Sequence, residues 1–315
     1  MKKTIGLLTI LVIVGVGFIY FLKNDLVNGV TFSSSIETPK MAKEQVKVNG
    51  KIKSQTVLLK NLETDEILLE KNSDKKVAIA SLTKLMTVYV LLNSGKELNE
   101  TVTISQKTLD ELVKEGASLS GFLAGDTLTI KDIAYGIVLP SGGDASITAA
   151  NYVSGSEDKF VDLMNQTAKK MGMGQTHFKN ATGLDERNHY STAEDLMRFM
   201  DVALKDATFT EILTTVRYQT EEKAYAPEGY YLESTMLKDS PDLSLQNGKI
   251  IGGKTGYTEK AGQCLISLAE VNGSRYLLIT TGADGGPMTE QFNVSDARQI
   301  YQSIWNSWQL VQCFV

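Results

Sequence analysis

The sequence predicts an α+β protein in which one sheet is built from both ends of the folded chain and a mostly helical lobe is inserted between them. Strand patterning occurs near Thr56 to Leu69 and returns after Gly248, while residues from about 100 to 210 carry the helical repeat. Strands, then many helices, then strands and a closing helix place both chain ends in the same sheet.

The elements follow in order. Thr56-Val57-Leu58-Leu59 and Ile67-Leu68-Leu69 flank the polar stretch Asn61 to Glu66 and read as a β-hairpin. From Ser81, the residues Leu82, Leu85, Met86, Tyr89 and Val90 recur at helical spacing, and Asn93-Ser94-Gly95 supplies a stop. Helical pattern continues through Lys131 to Leu139, Asp144 to Val153, Glu157 to Met171 and Thr192 to Leu204. Gln263 to Val271 and Arg275 to Thr281 read as strands, and about Val294 to Trp308 as the last helix.

Composition narrows the function. A chain of 315 residues holds about two domains or one two-lobed unit. Hydrophobic residues make up 42% and charged residues 22%, which excludes a disordered or fibrous protein. The net charge of −5 comes from 32 Lys+Arg against 37 Asp+Glu, so there is no basic excess to bind nucleic acid. Two histidines, His177 and His189, cannot make a three-histidine metal site, and Cys264 and Cys313 cannot make a four-cysteine one.

The N-terminus sets the compartment. Lys2 and Lys3 precede an uncharged apolar run, Ile5 to Leu22, which as a helix spans about 27 Å against a hydrocarbon core of roughly 30 Å. The flank Lys23-Asn24-Asp25-Leu26 offers no A-x-A cleavage site. Residues 1–22 therefore read as a membrane anchor, with a cleaved signal as the other reading, and both put the remaining chain outside the membrane. Residues 23–50, polar and unpatterned, read as a tether, and 51–315 as the folded domain.

Three short motifs carry chemistry. Ser81-Leu82-Thr83-Lys84 puts a hydroxyl and an amine on one helix face, at i and i+3. A serine becomes a nucleophile when a base takes its proton, and lysine is such a base when burial and a neighbouring cation keep it neutral. Apolar Ala78-Ile79-Ala80 and Leu85-Met86 on either side point to a buried helix. Ser141-Gly142-Gly143 falls in a turn between helical segments and can project a hydroxyl into a cleft, or else is a plain helix cap with Asp144. Lys254-Thr255-Gly256 follows apolar Ile250-Ile251 on a prospective edge strand, where a peptide can pair by its backbone; an ordinary Gly-rich turn is the alternative. There Lys254 offers a cation, Thr255 a hydroxyl for a carboxylate, and Gly256 a close approach. Gly248 to Thr255 also fits the phosphate-loop spacing G-x-x-x-x-G-K-[ST]. Polar Asp242 to Asn247 before it and Gly256 after it deny the strand and helix that such a loop needs.

S-x-x-K, a serine turn and K-T-G in that order resemble the motif set of the penicillin-recognising serine enzymes. Within them the chain is similar to the serine-type D-alanyl-D-alanine carboxypeptidases, the low-molecular-mass penicillin-binding proteins. The likeness covers roughly residues 50 to 310 and includes Ala80 to Thr87, Met164-Asn165, Phe178 to Asp185 and His189 to Asp195. It implies a β-lactamase/D,D-peptidase-like antiparallel sheet flanked by helices. It also implies a cell-wall enzyme that removes the terminal D-Ala from peptidoglycan stem pentapeptides and is acylated by β-lactams. Ser81 would be the nucleophile, Lys84 its base and Ser141 the proton relay. The backbone N–H groups of Ser81 and Tyr257 would hold the oxyanion, and Lys254, Thr255 and Gly256 the substrate. No metal or organic cofactor is implied.

The chain departs from that pattern twice. Gly143 stands where the family usually has Asn, and Gly282 to Pro287 after the last strand holds no Arg for the substrate carboxylate. A catalytically impaired wall-binding relative is the alternative that Gly143 raises. A β-lactamase is disfavoured, because no Glu-x-x-Leu-Asn motif lies between the middle and last motifs. A zinc D,D-peptidase built on His177 and His189 lacks the H-E-x-x-H signature, and structural hydrogen bonding is the role expected of both. Cys264 reads as a small buried strand residue.

Overall fold

The sheet at the centre of the protein is assembled from strands far apart in the chain. The computed structural model describes residues 46–48, 50–238, 242–286 and 288–312, with side chains as far as residue 304. The apolar run of residues 5–22, most of the 23–50 segment and Cys313 lie outside the described residues. Strand β1 (Thr56–Asn61) forms the expected hairpin with β2 (Ile67–Lys71). Its turn is fixed by Asn61, whose Oδ1 accepts from the N–H groups of Glu63 and Thr64 at 2.9 and 3.1 Å. Packing begins ahead of residue 51: Val46 is buried, and its N–H donates to the Leu68 carbonyl at 3.0 Å.

A 3-10 turn, Ala80–Leu82, leads into helix α1 (Thr83–Leu92). The lobe that follows holds β3 (Thr101–Thr103), α2 (Gln106–Lys114), β4 (Thr127–Thr129), α3 (Ile130–Val138), α4 (Gly143–Ser154), α5 (Glu157–Lys170), α6 (Ala193–Ala203) and α7 (Ala207–Thr214). Side chains set several helix starts. Thr129 and Asp132 form a reciprocal cap on α3, Ser156 accepts from Lys159 N, Thr192 from Asp195 N, and Asp206 from Thr208 N and Phe209 N. A two-stranded arm, β5 (Arg217–Gln219) with β6 (Tyr231–Glu233), is followed by a second 3-10 turn, Thr235–Leu237. The chain then returns to the sheet through β7 (Ser244–Leu245), β8 (Gly248–Thr258), β9 (Gly262–Val271) and β10 (Ser274–Ala283), and ends in α8 (Phe292–Gln312).

Among the described residues the strand order is β2-β1-β10-β9-β8-β7, and all the pairings are antiparallel. Alternate residues of the strands face opposite sides, as the two-residue period requires. Leu58, Ile266, Leu277 and Ile279 pack with the helical lobe, whereas Leu59, Leu265, Leu278 and Tyr276 pack with Val294, Ile300 and Tyr301 of α8. The sheet is thus covered on both faces. Gly248–Thr258 is one continuous strand, so the phosphate-loop spacing has no loop-to-helix setting. Among the described residues no helix is long and apolar enough to cross a membrane.

Candidate active site

Ser81 sits in the 3-10 turn, on the chain that leaves the sheet for α1. The turn is sharp: Ala80 takes φ +47°, a left-handed conformation uncommon for a residue with a side chain. Its neighbour makes that possible. Gly183, at φ +84°, lies so close that a Cβ on it would stand 2.0 Å from the Ala80 carbonyl oxygen. Asn180 Oδ1 holds the Gly183 loop by accepting from Gly183 N at 2.7 Å and Thr182 Oγ1 at 3.2 Å.

One helical turn beyond Ser81, Lys84 Nζ lies 3.0 Å from Ser81 Oγ and donates to the Thr182 carbonyl at 2.6 Å. Lys84 is 2% exposed. Burial lowers its ammonium from the usual 10.5 to about 7, with buried Asp144 pulling the other way. The amine is therefore held against the serine oxygen and is readily neutral near pH 7. The contribution of Thr182 comes from its backbone carbonyl, which residue type does not reveal.

Ser141 occupies the turn between α3 and α4 at φ +66° and is buried at the cleft. The turn is tied by backbone bonds, Gly142 N to Gly136 O at 2.9 Å and Gly143 N to Ser118 O at 2.7 Å. Asp144 does not cap α4. Gly142 takes the N-cap position, and the Asp144 carboxylate instead accepts from Ser120 N at 2.7 Å and from Ser120 Oγ. These bonds draw the 117–120 segment onto the start of α4. A Cβ on Gly143 would stand 3.1 Å from Ser118 O and 3.5 Å from Ala117 Cβ. The Ser118 carbonyl thus lies close beside Gly143, with the Ala117 and Leu112 side chains at ordinary contact.

The third motif lies on β8, facing the 3-10 turn. Beyond the short β7, this strand pairs on one side alone among the described residues, with Lys254 opposite Ile266 and Tyr257 opposite Gln263. Its other edge borders the cleft, as the motif predicts. Gly256 allows the approach, for a Cβ there would lie 3.0 Å from Ser81 N and 3.1 Å from Ala80 Cβ. Lys254 is buried and donates to the Thr255 carbonyl at 2.7 Å. Burial, and then the charge of Lys84, push its ammonium well below the usual range. Thr255 Oγ1 lies 2.5 Å from Thr235 Oγ1, in the second 3-10 turn.

Ser81, Ser141, Thr255, Gly256 and Tyr257 line one cleft of about 1170 Å³. Lys84 and Lys254 are buried beside these lining residues. The two histidines serve structure. Buried His189 Nε2 is 2.8 Å from Thr83 Oγ1, and His177 Nδ1 is 2.8 Å from the Asn188 carbonyl. No cluster of three metal-ligating side chains occurs among the described residues. Cys264 is buried in β9 as a small apolar residue.

The architecture is that of the Streptomyces K15 DD-transpeptidase. A serine-to-alanine mutant of the Streptomyces K15 DD-transpeptidase superposes over 82% of this chain and 100% of its own, with a TM-score of 0.73 and 26% identity. The chain belongs to the D-alanyl-D-alanine carboxypeptidase family, peptidase S11, whose model matches residues 40–285. It is 32% identical to the D-alanyl-D-alanine carboxypeptidase DacF of Bacillus subtilis, over 73% of this chain and 57% of the relative. It is 30% identical to DacC of Escherichia coli, over 83% of this chain and 64% of the relative. The chain thus spans less than two thirds of the length of those two proteins.

Proposed function

We propose that this protein is a serine D-alanyl-D-alanine carboxypeptidase that removes the terminal D-Ala from peptidoglycan stem pentapeptides through an acyl-enzyme on Ser81. The observation that carries the reading is the contact of Ser81 Oγ with Lys84 Nζ, at 3.0 Å on a buried lysine whose pKa is lowered to about 7. A neutral amine at that distance takes the serine proton as Oγ attacks the carbonyl of the penultimate D-Ala. The developing oxyanion is held by the backbone N–H groups of Ser81 and Tyr257. Ser141, which lines the same cleft, relays the proton to the departing D-Ala amine. Water then cleaves the ester and Lys84 regains its resting state. Lys254 stiffens the β8 edge through the Thr255 carbonyl, and the Thr255 hydroxyl receives the substrate carboxylate. β-Lactams, which present the same acyl and carboxylate groups, acylate Ser81. The apolar run of residues 5–22 would keep the domain at the outer face of the membrane, where stem peptides are found.

Release of D-alanine from a synthetic stem peptide ending in D-Ala-D-Ala tests the reading. It is expected from the full chain and is lost, together with covalent penicillin labelling, in Ser81→Ala. Undiminished labelling of Ser81→Ala would remove Ser81 as the nucleophile.

A further inference from the structure

A peptide laid along β8 keeps a second edge free. Extended backbone presents N–H and C=O groups on both edges, and β8 can pair with only one of them. The lobe residues that line the same cleft are what remains for the other. Gly143 has no side chain to offer. The Asn180 amide is bonded within its own loop, where Nδ2 donates to the Leu184 carbonyl at 3.1 Å and Oδ1 accepts from Gly183 N at 2.7 Å.

Ser118 is the lobe residue placed to take that role. It lines the cleft with Ser81 and Ser141, it is exposed, and its carbonyl lies 3.1 Å from a Cβ built on Gly143. Three ties fix it there. Helix α2 closes on Gly116, at φ +67°, where Gly116 N donates to Val113 O at 3.2 Å and Ala117 N to Leu112 O at 3.0 Å. Gly143 N donates to the Ser118 carbonyl at 2.7 Å. Buried Asp144 accepts from Ser120 N at 2.7 Å and from Ser120 Oγ, which itself accepts from Phe122 N at 3.2 Å. The backbone around Ser118 is thus committed to the lobe, while its hydroxyl makes no hydrogen bond among the described residues.

We infer that the Ser118 hydroxyl hydrogen-bonds the acyl-side amide of the substrate, a contact that Gly143 cannot supply. The inference rests on the carboxypeptidase reading and specifies how the half of the substrate that stays on Ser81 is held. A serine hydroxyl rotates freely and both donates and accepts, so it can meet either polar group of an amide. A penicillin with an acylamino side chain presents the same amide. Ser118→Ala deletes the hydroxyl but keeps the carbonyl that Gly143 N holds, so it removes the contact without releasing the segment.

Two β-lactams read this contact on the full chain. Benzylpenicillin carries the side-chain amide, whereas 6-aminopenicillanic acid has the same ring and carboxylate with an amine in its place. Ser118→Ala is expected to slow acylation by benzylpenicillin about five- to tenfold, as loss of one hydrogen bond to a neutral group implies. Acylation by 6-aminopenicillanic acid should change by less than about twofold. Ser118→Thr, which keeps the hydroxyl, should restore most of the benzylpenicillin rate. On a stem peptide, Ser118→Ala should lower kcat/KM for D-alanine release by a similar factor. Equal slowing of both β-lactams by Ser118→Ala, or an unchanged benzylpenicillin rate, would overturn the contact while the wild type remains active. A wild type that releases no D-alanine and is acylated by neither compound overturns the carboxypeptidase reading, and the contact with it.

Discussion

The carbonyl of Ala80 and the Cα of Gly183 face each other with no room for a methyl group between them, since a Cβ on Gly183 would fall 2.0 Å from that oxygen. This contact lets the turn before Ser81 take its left-handed residue, and it carries the Thr182 carbonyl to Lys84. Gly183→Ala combines the clash with strain at φ +84° and should cost about 2–4 kcal/mol, a fall in Tm of several degrees. Penicillin acylation of the folded fraction should slow as well. Gly174→Ala is the control, as nothing lies within 4 Å of a Cβ there, and it should leave both readouts unchanged.

Acylation should switch on as the pH rises through about 7. Lys84 must be neutral to accept the Ser81 proton, and burial lowers its pKa to about 7. The rate of penicillin labelling, followed by stopped-flow or quenched gel assay, should rise with that midpoint and level off above it. A pH-independent rate from 5.5 to about 9 would remove Lys84 as the base.

The same lysine burdens the fold. Its pKa lies below the unfolded value, so the unfolded chain binds more protons between about 7 and 10.5, and stability rises with pH across that window. The penalty is complete below about 7 and absent above 10.5. Lys84→Met loses the bond to the Thr182 carbonyl, yet should still gain about 1–3 kcal/mol at pH 7 in urea melts. The gain should shrink toward pH 10.5. Activity should vanish in the same variant.

His189 should contribute to the loss of stability in acid. Burial, and then the charge of His177, lower it from 6.5 to about 4, so it stays neutral in the fold while the unfolded chain protonates. Stability is therefore lost as the pH falls from about 6.5 to about 4. His189→Gln, which can still meet Thr83 Oγ1, should flatten that decline by about 1–3 kcal/mol at pH 4 relative to pH 7. Urea midpoints at the two pH values measure it.

Much of this was legible in the residues, for identifiable reasons. The helical period alone placed Lys84 beside Ser81, and the apolar repeats gave Lys131 to Leu139 for a helix observed at Ile130–Val138. The strand carrying Lys254 was harder to read. Gly248, Gly252, Gly253 and Gly256 look like turn residues, yet they lie in a continuous strand because other chain segments press against it. A Cβ at Gly252 would meet the Leu213 carbonyl at 2.3 Å, and one at Gly253 the Ile266 carbonyl at 2.3 Å. The three-residue pairs β3–β4 and β5–β6 are too short to show a period. The Thr182 carbonyl and the Thr235 hydroxyl reach the site through backbone and tertiary position, to which composition and spacing are blind.

The register of β1 on β10 has a consequence for how the protein matures. Thr56 and Thr281 are paired, their hydroxyls 2.7 Å apart, across 225 residues of chain. A polypeptide delivered from its N-terminus exposes the hairpin and Ser81 long before β10 exists to cover the open side of β1. Until then that side is an unpaired strand edge, prone to pairing with other chains. Ser81 is thus among the first parts made and the last to gain its facing wall, since β8 and Lys254 arrive with the same late segment. Premature release or proteolysis anywhere ahead of β10 would yield an aggregation-prone fragment rather than a weakly active enzyme.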